Sequence, residues 1–289
     1  MPATLAPYIG RFAPSPTGPL HLGSLCSALA SYLDARSNGG RWLLRIENLD
    51  PPREQVGADH RIIQSLRAHR LLWDGDIVWQ SQRLGAYQQA LEQLLDQQQA
   101  FYCSCSRAQL AEHGGLHRDH CVAPLQKGDA AVRLRASNQP YCFRDRLLGH
   151  QQQTPSSGGD VVLRRRDGLF AYQLAVVVDD ADSEVSDIVR GSDLLDSTAW
   201  QLQLQDSLGY PRPNYLHLPL LTDSSGDKLS KRSYAPALDD SCAEDNIRRV
   251  LRYLNQATPP TTSDLDSLLR WAAAHWQVSA IPRHAIAVN

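Results

Sequence analysis

The chain has 289 residues, of which 42% are apolar and 21% charged, a composition typical of a soluble globular protein. It contains no run near the roughly 20 apolar residues of a membrane helix, and its N-terminus lacks the pattern of a secretory signal, so we expect a cytoplasmic protein. The formal net charge of −2 gives no basic excess and leaves nucleic-acid binding undecided.

The first fifty residues are predicted to form strand, loop, helix and strand. The strands are Tyr8–Phe12 and Trp42–Ile46, and a break rich in proline and glycine follows the first of them. Between the strands, leucines recur at helical spacing, at Leu22, Leu25, Leu29 and Leu33. This βαβ order is typical of a doubly wound nucleotide-binding fold.

The remaining pattern alternates helices and short strands. Helices are predicted at Glu54–Leu72, Leu84–Gln99 and Asp196–Leu208, and again from Ser241 to Trp276 with a break at Thr258–Pro260. Strands are predicted at Ala131–Ala136, Val161–Arg166, Phe170–Val178 and His217–Leu221, with an exposed loop at Gln151–Gly159. We therefore expect an α/β fold with a parallel sheet, an inserted subdomain and a short helical C-terminal tail.

The loop Pro14–Gly23 lies between a predicted strand and a predicted helix. Free backbone N–H groups and the helix dipole at such a junction favour anions. His21 can donate a hydrogen bond to a phosphate, and Gly23 allows a nucleotide to approach the backbone. A rigid turn with no ligand is the alternative interpretation of this loop alone.

A second loop, Lys228–Arg232, follows the turn-forming residues 223–227. Lys228 and Lys231 could reach a triphosphate there and stabilise charge during attack at the α-phosphate. A basic loop by itself is more often simply solvated. The two loops together favour ATP chemistry.

Cys103, Cys105 and Cys121 lie close together in the sequence. In a cytosolic chain this spacing favours a metal site over disulfides. A histidine would complete a tetrahedral structural Zn²⁺ site, with His117, His113 and His120 as candidates. Three reduced cysteines without a metal are the alternative.

The paired loops resemble the HIGH and KMSKS motifs of class I aminoacyl-tRNA synthetases in their glutamyl form. The resemblance is carried by Pro14–Gly23 and Lys228–Arg232, and extended by Arg11–Ser15, Glu47, Arg190–Asp193 and Leu216–Leu221. It covers roughly residues 8 to 240 and implies a Rossmann-like catalytic domain. Ser24 stands where the last histidine of HIGH would be, a departure common among glutamyl members.

The resemblance assigns roles to individual residues. It implies that His21, Lys228 and Lys231 are catalytic and that Gly23 binds ATP with them, with Mg²⁺ on the phosphates. It also implies that Arg11 and Arg190 bind the carboxylates of glutamate, Glu47 binds its ammonium group, and Tyr172 closes the pocket together with the loop residues Phe12, Ala13, Pro14 and Ser15. Simple ion pairs are the alternative for the charged residues: Glu47 with Arg45 or Arg53, and Arg190 with Asp187 or Asp193. Tyr172 could be a core residue.

The short segment after Arg232 resembles that of the glutamyl-Q tRNA(Asp) synthetases, truncated paralogues of glutamyl-tRNA synthetase. This resemblance implies tRNA-independent activation of L-glutamate by ATP and transfer to queuosine at the wobble position of tRNA(Asp). It also favours His117 as the fourth ligand of one structural Zn²⁺. The alternatives are a discriminating glutamyl-tRNA synthetase, an inactive tRNA-binding relic and a nucleotidyltransferase.

The expected organisation has four segments in a monomeric chain. Residues 1–100 and 190–240 form the two halves of the catalytic domain, the second half carrying the lysine loop. Residues 101–189 form the insertion with the zinc cluster, and residues 241–289 form the helical tail.

Overall fold

The computed structural model describes residues 7–118, 120–126, 128–223, 236–261 and 264–288. Its strands are β1 Ile9–Phe12, β2 Arg41–Ile46, β3 Val78–Trp79, β4 Ala100–Cys103, β5 Ala131–Leu134, β6 Tyr141–Asp145, β7 Gly149–Gln153, β8 Val162–Arg164, β9 Asp187–Gly191, β10 Asn214–Leu218, β11 Leu221–Thr222 and β12 Ile286–Ala287. Its helices are α1 Leu22–Ser37, α2 Ala58–Ala68, α3 Leu84–Asp96, α4 Arg107–Ala111, α5 Tyr172–Asp182, α6 Thr198–Leu208, α7 Ala243–Tyr253 and α8 Leu265–Ala274.

Two sets of parallel strands form the centre of the protein. In the first set β2 pairs with β1 and β3, and in the second β10 pairs with β9 and β6, while β7 adds an antiparallel edge. Hydrogen bonds of 2.9 Å in both directions between Ile9 and Ser186 hold β1 beside β9. The order of the strands therefore reverses between β1 and β9, which is where open α/β sheets bind their ligands.

A hydrophobic core on the first sheet fixes α1 against it. The predicted leucines Leu25, Leu29 and Leu33 are fully buried in this core with Trp42 of β2. The indole N–H of Trp42 donates to the Ser31 hydroxyl at 2.9 Å, so even its polar atom is satisfied in the interior. The expected opening of strand, loop, helix and strand is confirmed.

The inserted segment has its own antiparallel sheet. Strands β4, β5 and β8 form this sheet, and a second hydrophobic core joins it to α3, α5 and α6. The hairpin β6–β7 belongs instead to the central sheet, because β6 pairs in parallel with β10. The division of the chain into four segments stays a prediction.

The carboxylate of Asp34 connects the C-terminal part of the chain to the centre. Asp34 on α1 is fully buried, and it accepts hydrogen bonds from the Tyr8 hydroxyl, from Arg146 at 2.9 Å and from the Trp276 indole at 3.0 Å. Such a buried carboxylate is tolerated only because its partners replace the lost water. It holds the segment after α8 against α1.

The prediction of a strand at Phe170–Val178 is wrong, because Tyr172–Asp182 is the helix α5. The run contains three consecutive valines, which favour strands, and the residues from Gln173 to Asp180 are buried. A segment that is buried on all sides shows no helical alternation of apolar and polar residues. Sequence periodicity cannot distinguish it from a buried strand.

Other predicted bounds also change. The expected loop Gln151–Gly159 begins within the edge strand β7, in which exposed residues alternate with partly buried ones, and it contains a 3-10 turn at Pro155–Gly158. The tail is not helical throughout, because β12 pairs in parallel with β11. The predicted strand His217–Leu221 is split, since β10 ends at Leu218 and β11 begins at Leu221. Among the described residues, none of the helices combines the length and apolar character needed to span a bilayer.

Candidate active site

A cavity of about 720 Å³ lies where the strand order reverses, at the carboxyl ends of β1, β2, β9 and β10. All of the predicted glutamate-binding residues, together with His21 and Gly23, line this cavity: Arg11, Phe12, Ala13, Pro14, Ser15, His21, Gly23, Glu47, Tyr172 and Arg190. The parallel strands bring them together because each residue lies near the end of a strand or the start of a helix. Lys228 and Lys231 lie outside the described residues.

A second cavity of about 750 Å³ lies between α1 and α8. Its acidic groups are committed to ion pairs, Asp34 with Arg146 and Asp266 with Arg70. It is away from the strand ends and contains none of the predicted site residues. The cavity at the strand ends is therefore the stronger candidate for a catalytic site.

His21 is held as the N-cap of α1. Its Nδ1 accepts hydrogen bonds from the backbone N–H groups of Gly23 at 3.1 Å and Ser24 at 3.3 Å. The Ser24 hydroxyl accepts from the backbone N–H of His21 at 2.7 Å, which completes a reciprocal capping box. Because Nδ1 is an acceptor, a neutral His21 carries its proton on Nε2. The first turn of α1 contains no acidic residue, so its dipole favours an anion.

A chain of buried charges supports the floor of the cavity. Asp180 on α5 accepts from Arg11 Nε at 3.1 Å and from Arg45 Nη1 at 2.7 Å. Arg45 also donates from Nη2 to Glu47 at 3.2 Å. Arg11 therefore uses its Nε and Nη2 on Asp180, and its Nη1 has no hydrogen bond to another described residue. These bonds fix the positions of Arg11 and Glu47.

The protonation of these carboxylates differs. Burial raises the pKa of Asp180, but Arg11 and Arg45 more than offset it, and the net pKa is below the ordinary value. Burial also raises the pKa of Glu47, and there the arginines do not offset it, so the net pKa is above the ordinary value. The difference in pKa follows the number of arginine partners: Glu47 accepts a hydrogen bond from one arginine, whereas Asp180 pairs with two. A cation brought next to Glu47 would favour its ionised form.

Arg190 is buried at the end of β9. Its guanidinium donates to His217 Nε2 at 3.0 Å, Gln201 Oε1 at 2.6 Å and the Thr198 hydroxyl at 2.9 Å. Within the described part of the chain none of its hydrogen bonds goes to a carboxylate, so neither Asp187 nor Asp193 forms the ion pair that the sequence allowed. Tyr172, the first residue of α5, is half-buried at the cavity.

Four candidate metal ligands converge beside β4. The donor atoms of Cys103, Cys105, His117 and Cys121 all lie within 4.8 Å of one another. His113 and His120 are exposed and are not part of this group. The backbone N–H of Cys105 points to the Cys103 sulfur at 3.4 Å, a contact that stabilises a thiolate.

The surroundings of His117 fit a metal ligand. Its Nδ1 lies 2.7 Å from the carboxylate of Asp160, while its buried Nε2 has no hydrogen-bond partner among the described residues. Metal-ligating histidines commonly donate their second N–H to a carboxylate in this way. Gly159 allows the backbone before Asp160 to pass close to His117. Its φ is +76°, and a Cβ there would lie 2.7 Å from the His117 carbonyl oxygen. The donor set suits tetrahedral Zn²⁺.

Several supporting residues were not predicted from the sequence. Asp180, Asp145 and His217 each contact a site residue or its neighbour. Asp180 lies 135 and 169 positions from Arg45 and Arg11, Asp145 lies 72 positions from His217, and His217 lies 27 positions from Arg190. Only the fold shows these pairings. Even if residues 172–182 had been predicted as a helix, Asp180 would only have been placed in its last turn. The nearby sequence gives no sign that Asp180 pairs with Arg11.

Comparisons with known proteins show the family and the fold of the chain. The family of class I tRNA synthetases (E and Q), catalytic domain, matches residues 9–253. The glutamyl-Q tRNA(Asp) synthetase of Pseudomonas fluorescens is 49% identical over 97% of this chain and 96% of its own length. That of Serratia proteamaculans is 48% identical over 96% and 92% respectively. The solved glutamate-tRNA synthetase from Elizabethkingia anophelis is similar in fold, with a TM-score of 0.84 at 22% identity over 98% of this chain and 68% of that one.

We predict that Asp180→Asn destabilises the protein in a pH-dependent way. Because the pKa of Asp180 is lowered in the fold, its contribution is fully present above the unfolded value of about 3.9 and is lost as the pH falls through the folded pKa. Breaking this buried pair should cost about 3–5 kcal/mol at neutral pH. The difference from wild type should shrink as the pH falls below the unfolded value and towards the lowered folded pKa, where Asp180 approaches the neutral state that asparagine mimics.

Urea denaturation at a series of pH values measures this difference. The exposed Asp206–Arg212 pair provides the control, and Asp206→Asn should cost less than about 1 kcal/mol at every pH. A difference between Asp180→Asn and wild type that does not change with pH would contradict the assignment.

Proposed function

The chain belongs to the family of class I tRNA synthetases for glutamate and glutamine and is a ligase, and from this premise we propose that it activates L-glutamate with ATP and transfers it to queuosine in tRNA(Asp). The observation that carries the proposal is the convergence of Arg11, Glu47 and Arg190 on one cavity beside the capped helix α1. These two arginines and one glutamate face a space that a single amino acid can occupy.

In this proposal the charges of the cavity complement those of glutamate. Arg11 and Arg190 bind the two carboxylates, and Glu47 accepts the ammonium group. Glu47 carries a raised pKa before binding, so the arriving cation shifts it towards the carboxylate form. Tyr172 and the loop residues Phe12, Ala13, Pro14 and Ser15 close the pocket around the substrate.

The activation step is proposed to take place at the N-terminus of α1. An oxygen of the α-carboxylate of glutamate attacks the α-phosphorus of ATP, the bond to pyrophosphate breaks, and glutamyl-adenylate forms. The proton on Nε2 of His21 and the dipole at the N-terminus of α1 stabilise the phosphate charge. Gly23, Lys228 and Lys231 are proposed to complete the ATP site, and Mg²⁺ bound with ATP neutralises phosphate charge.

The transfer step is proposed to use a hydroxyl of the queuosine cyclopentene ring. That hydroxyl attacks the mixed anhydride, an ester forms, and AMP leaves. The relatives named glutamyl-Q tRNA(Asp) synthetase support this acceptor, since the chain matches them over nearly their whole length. Activation is proposed not to require tRNA, because the glutamate-binding side chains are already held by protein groups.

We also propose that Cys103, Cys105, His117 and Cys121 bind one structural Zn²⁺. The support is the shared position of the four donor atoms and the hydrogen bond from His117 to Asp160. A bound metal would cross-link the start of the inserted segment to the loop after α4.

The acceptor is tested by offering labelled glutamate and ATP to the protein with tRNA(Asp) containing or lacking queuosine, and with tRNA(Glu). We expect label only on queuosine-containing tRNA(Asp). Glu47→Gln removes one charge while keeping the shape, and it should slow labelling at least about tenfold at limiting glutamate because one charge-assisted contact is lost.

The matched control is the exposed Glu244, and Glu244→Gln should label tRNA at the wild-type rate. Transfer to tRNA(Glu) would instead indicate a discriminating glutamyl-tRNA synthetase. An absence of transfer to any tRNA would contradict the proposed ligase reaction.

The metal site is tested by elemental analysis of purified protein. We expect about one Zn²⁺ per chain, lost in Cys103→Ser and kept in Cys242→Ser, whose thiol is exposed and away from the cluster. Asp160→Asn should weaken zinc binding by about 10- to 100-fold, because the orienting carboxylate is lost. Well-folded wild-type protein with no metal would refute the site.

A further inference from the structure

Behind Arg190 lies a buried pair of residues that the proposed chemistry does not use. Asp145, at the end of β6, and His217, in β10, are almost completely buried. The carboxylate of Asp145 lies 2.7 Å from His217 Nδ1, and His217 Nε2 lies 3.0 Å from Arg190 Nε. The three side chains therefore form a continuous line from the interior of the sheet to the cavity.

The hydrogen bonds around Asp145 define the direction of this line. One oxygen accepts from the backbone N–H groups of Leu147 at 2.9 Å and Leu148 at 2.8 Å, and the other accepts from the backbone N–H of His217 at 3.0 Å. A group surrounded by donors acts as an ionised acceptor, and its pKa is lowered by the His217 contact and these amides in spite of burial. The ring proton of His217 therefore resides on Nδ1.

The second ring nitrogen must then be an acceptor. Arg190 can only donate, so its Nε–H and the lone pair of His217 Nε2 are matched. Burial, helped by Arg190, lowers the pKa of His217 and keeps the ring neutral. A proton on Nε2 would place two donors against each other and turn the guanidinium away.

The remaining contacts of Arg190 fix the plane of its guanidinium. Its central carbon lies 5.2 Å from the ring centre of Tyr215, which itself stacks on His217 with an angle of 9° between the rings. Nη1 donates to Gln201, and Nη2 donates to Thr198 and to the backbone carbonyl of Leu194 at 3.3 Å. By this count one Nη1–H has no hydrogen bond to the described protein groups and is left for a ligand.

We propose that Asp145 and His217 are positioning residues that hold Arg190 in the orientation that recognises the side-chain carboxylate of the substrate. The inference rests on the proposed function, since it deepens the account of glutamate recognition. A long arginine side chain loses much rotational freedom when it is ordered, and ordering it before the substrate arrives improves affinity. The pair should therefore affect the KM for glutamate much more than the KM for ATP.

Two substitutions of His217 separate positioning from packing. His217→Asn keeps a polar group near Nδ1, within reach of Asp145, but has no acceptor at the position of Nε2. His217→Gln can place its carbonyl oxygen near that position. In glutamate-dependent ATP–pyrophosphate exchange, we expect the asparagine variant to raise the KM for glutamate about 10- to 100-fold and the glutamine variant to recover most of the loss.

A buried histidine elsewhere provides the matched control. His69 is fully buried at the C-terminal end of α2, where it contacts Ser65 and Asn246. His69→Asn should leave the KM for glutamate within about twofold of wild type, even if it lowers the melting temperature. Thermal unfolding of all variants identifies any that are misfolded.

A second measurement does not depend on activity. Nitrogen-15 NMR of histidine-labelled wild-type protein should show His217 as the neutral tautomer with its proton on Nδ1, assigned by the signal missing from His217→Gln. A proton on Nε2 would overturn the inference. An unchanged KM in folded His217→Asn, or an equal loss in both variants, would also overturn it. No exchange in the wild type would instead refute the proposed function, while the tautomer would still test the pair.

Discussion

The ion pairs that Asp180 forms with Arg11 and Arg45 are the constraint on which the candidate site depends. Burying charges is costly, and such groups are stable only when each is matched by a partner. Asp180 matches Arg11 of β1 and Arg45 of β2, and Arg45 in turn holds Glu47. The position of α5 on the sheet therefore determines where two of the proposed substrate ligands stand. The cost of burial is offset inside the network, and protein groups alone hold Arg11 and Glu47 in place.

A second network holds the opposite wall of the cavity on the same principle. Arg190 donates to neutral acceptors, one of which is His217. The other nitrogen of the His217 ring contacts the carboxylate of Asp145. Arg11 and Arg190 therefore stand on strands from the two halves of the sheet, and the Ile9–Ser186 hydrogen bonds keep these halves together. The N-terminus of α1 lies at the side of the cavity that is proposed to bind phosphate. There His21 is held in place by its hydrogen bonds with the backbone of the helix that it caps. In the proposed function, recognition of the amino acid and recognition of the nucleotide meet at the reversal of strand order.

The parts of this site that the sequence predicted are those with local signals. The Pro/Gly loop, the leucine spacing of α1 and the cysteine spacing are visible within short windows, and their positions are confirmed by the fold. The helix α5 was taken for a strand because it is buried on every side and rich in valine. Asp180, Asp145 and His217 were missed for a different reason. Their partners are distant in the chain, so only tertiary structure brings them together.

The central claim is that this preformed cavity activates glutamate without RNA. Exchange of labelled pyrophosphate into ATP, measured in the absence of tRNA with L-glutamate, L-glutamine or L-aspartate, tests it most directly. We predict exchange with glutamate and at least about tenfold less with glutamine, which cannot satisfy two arginines with two carboxylates. Equal exchange with glutamine, or exchange that begins only after tRNA is added, would contradict the account.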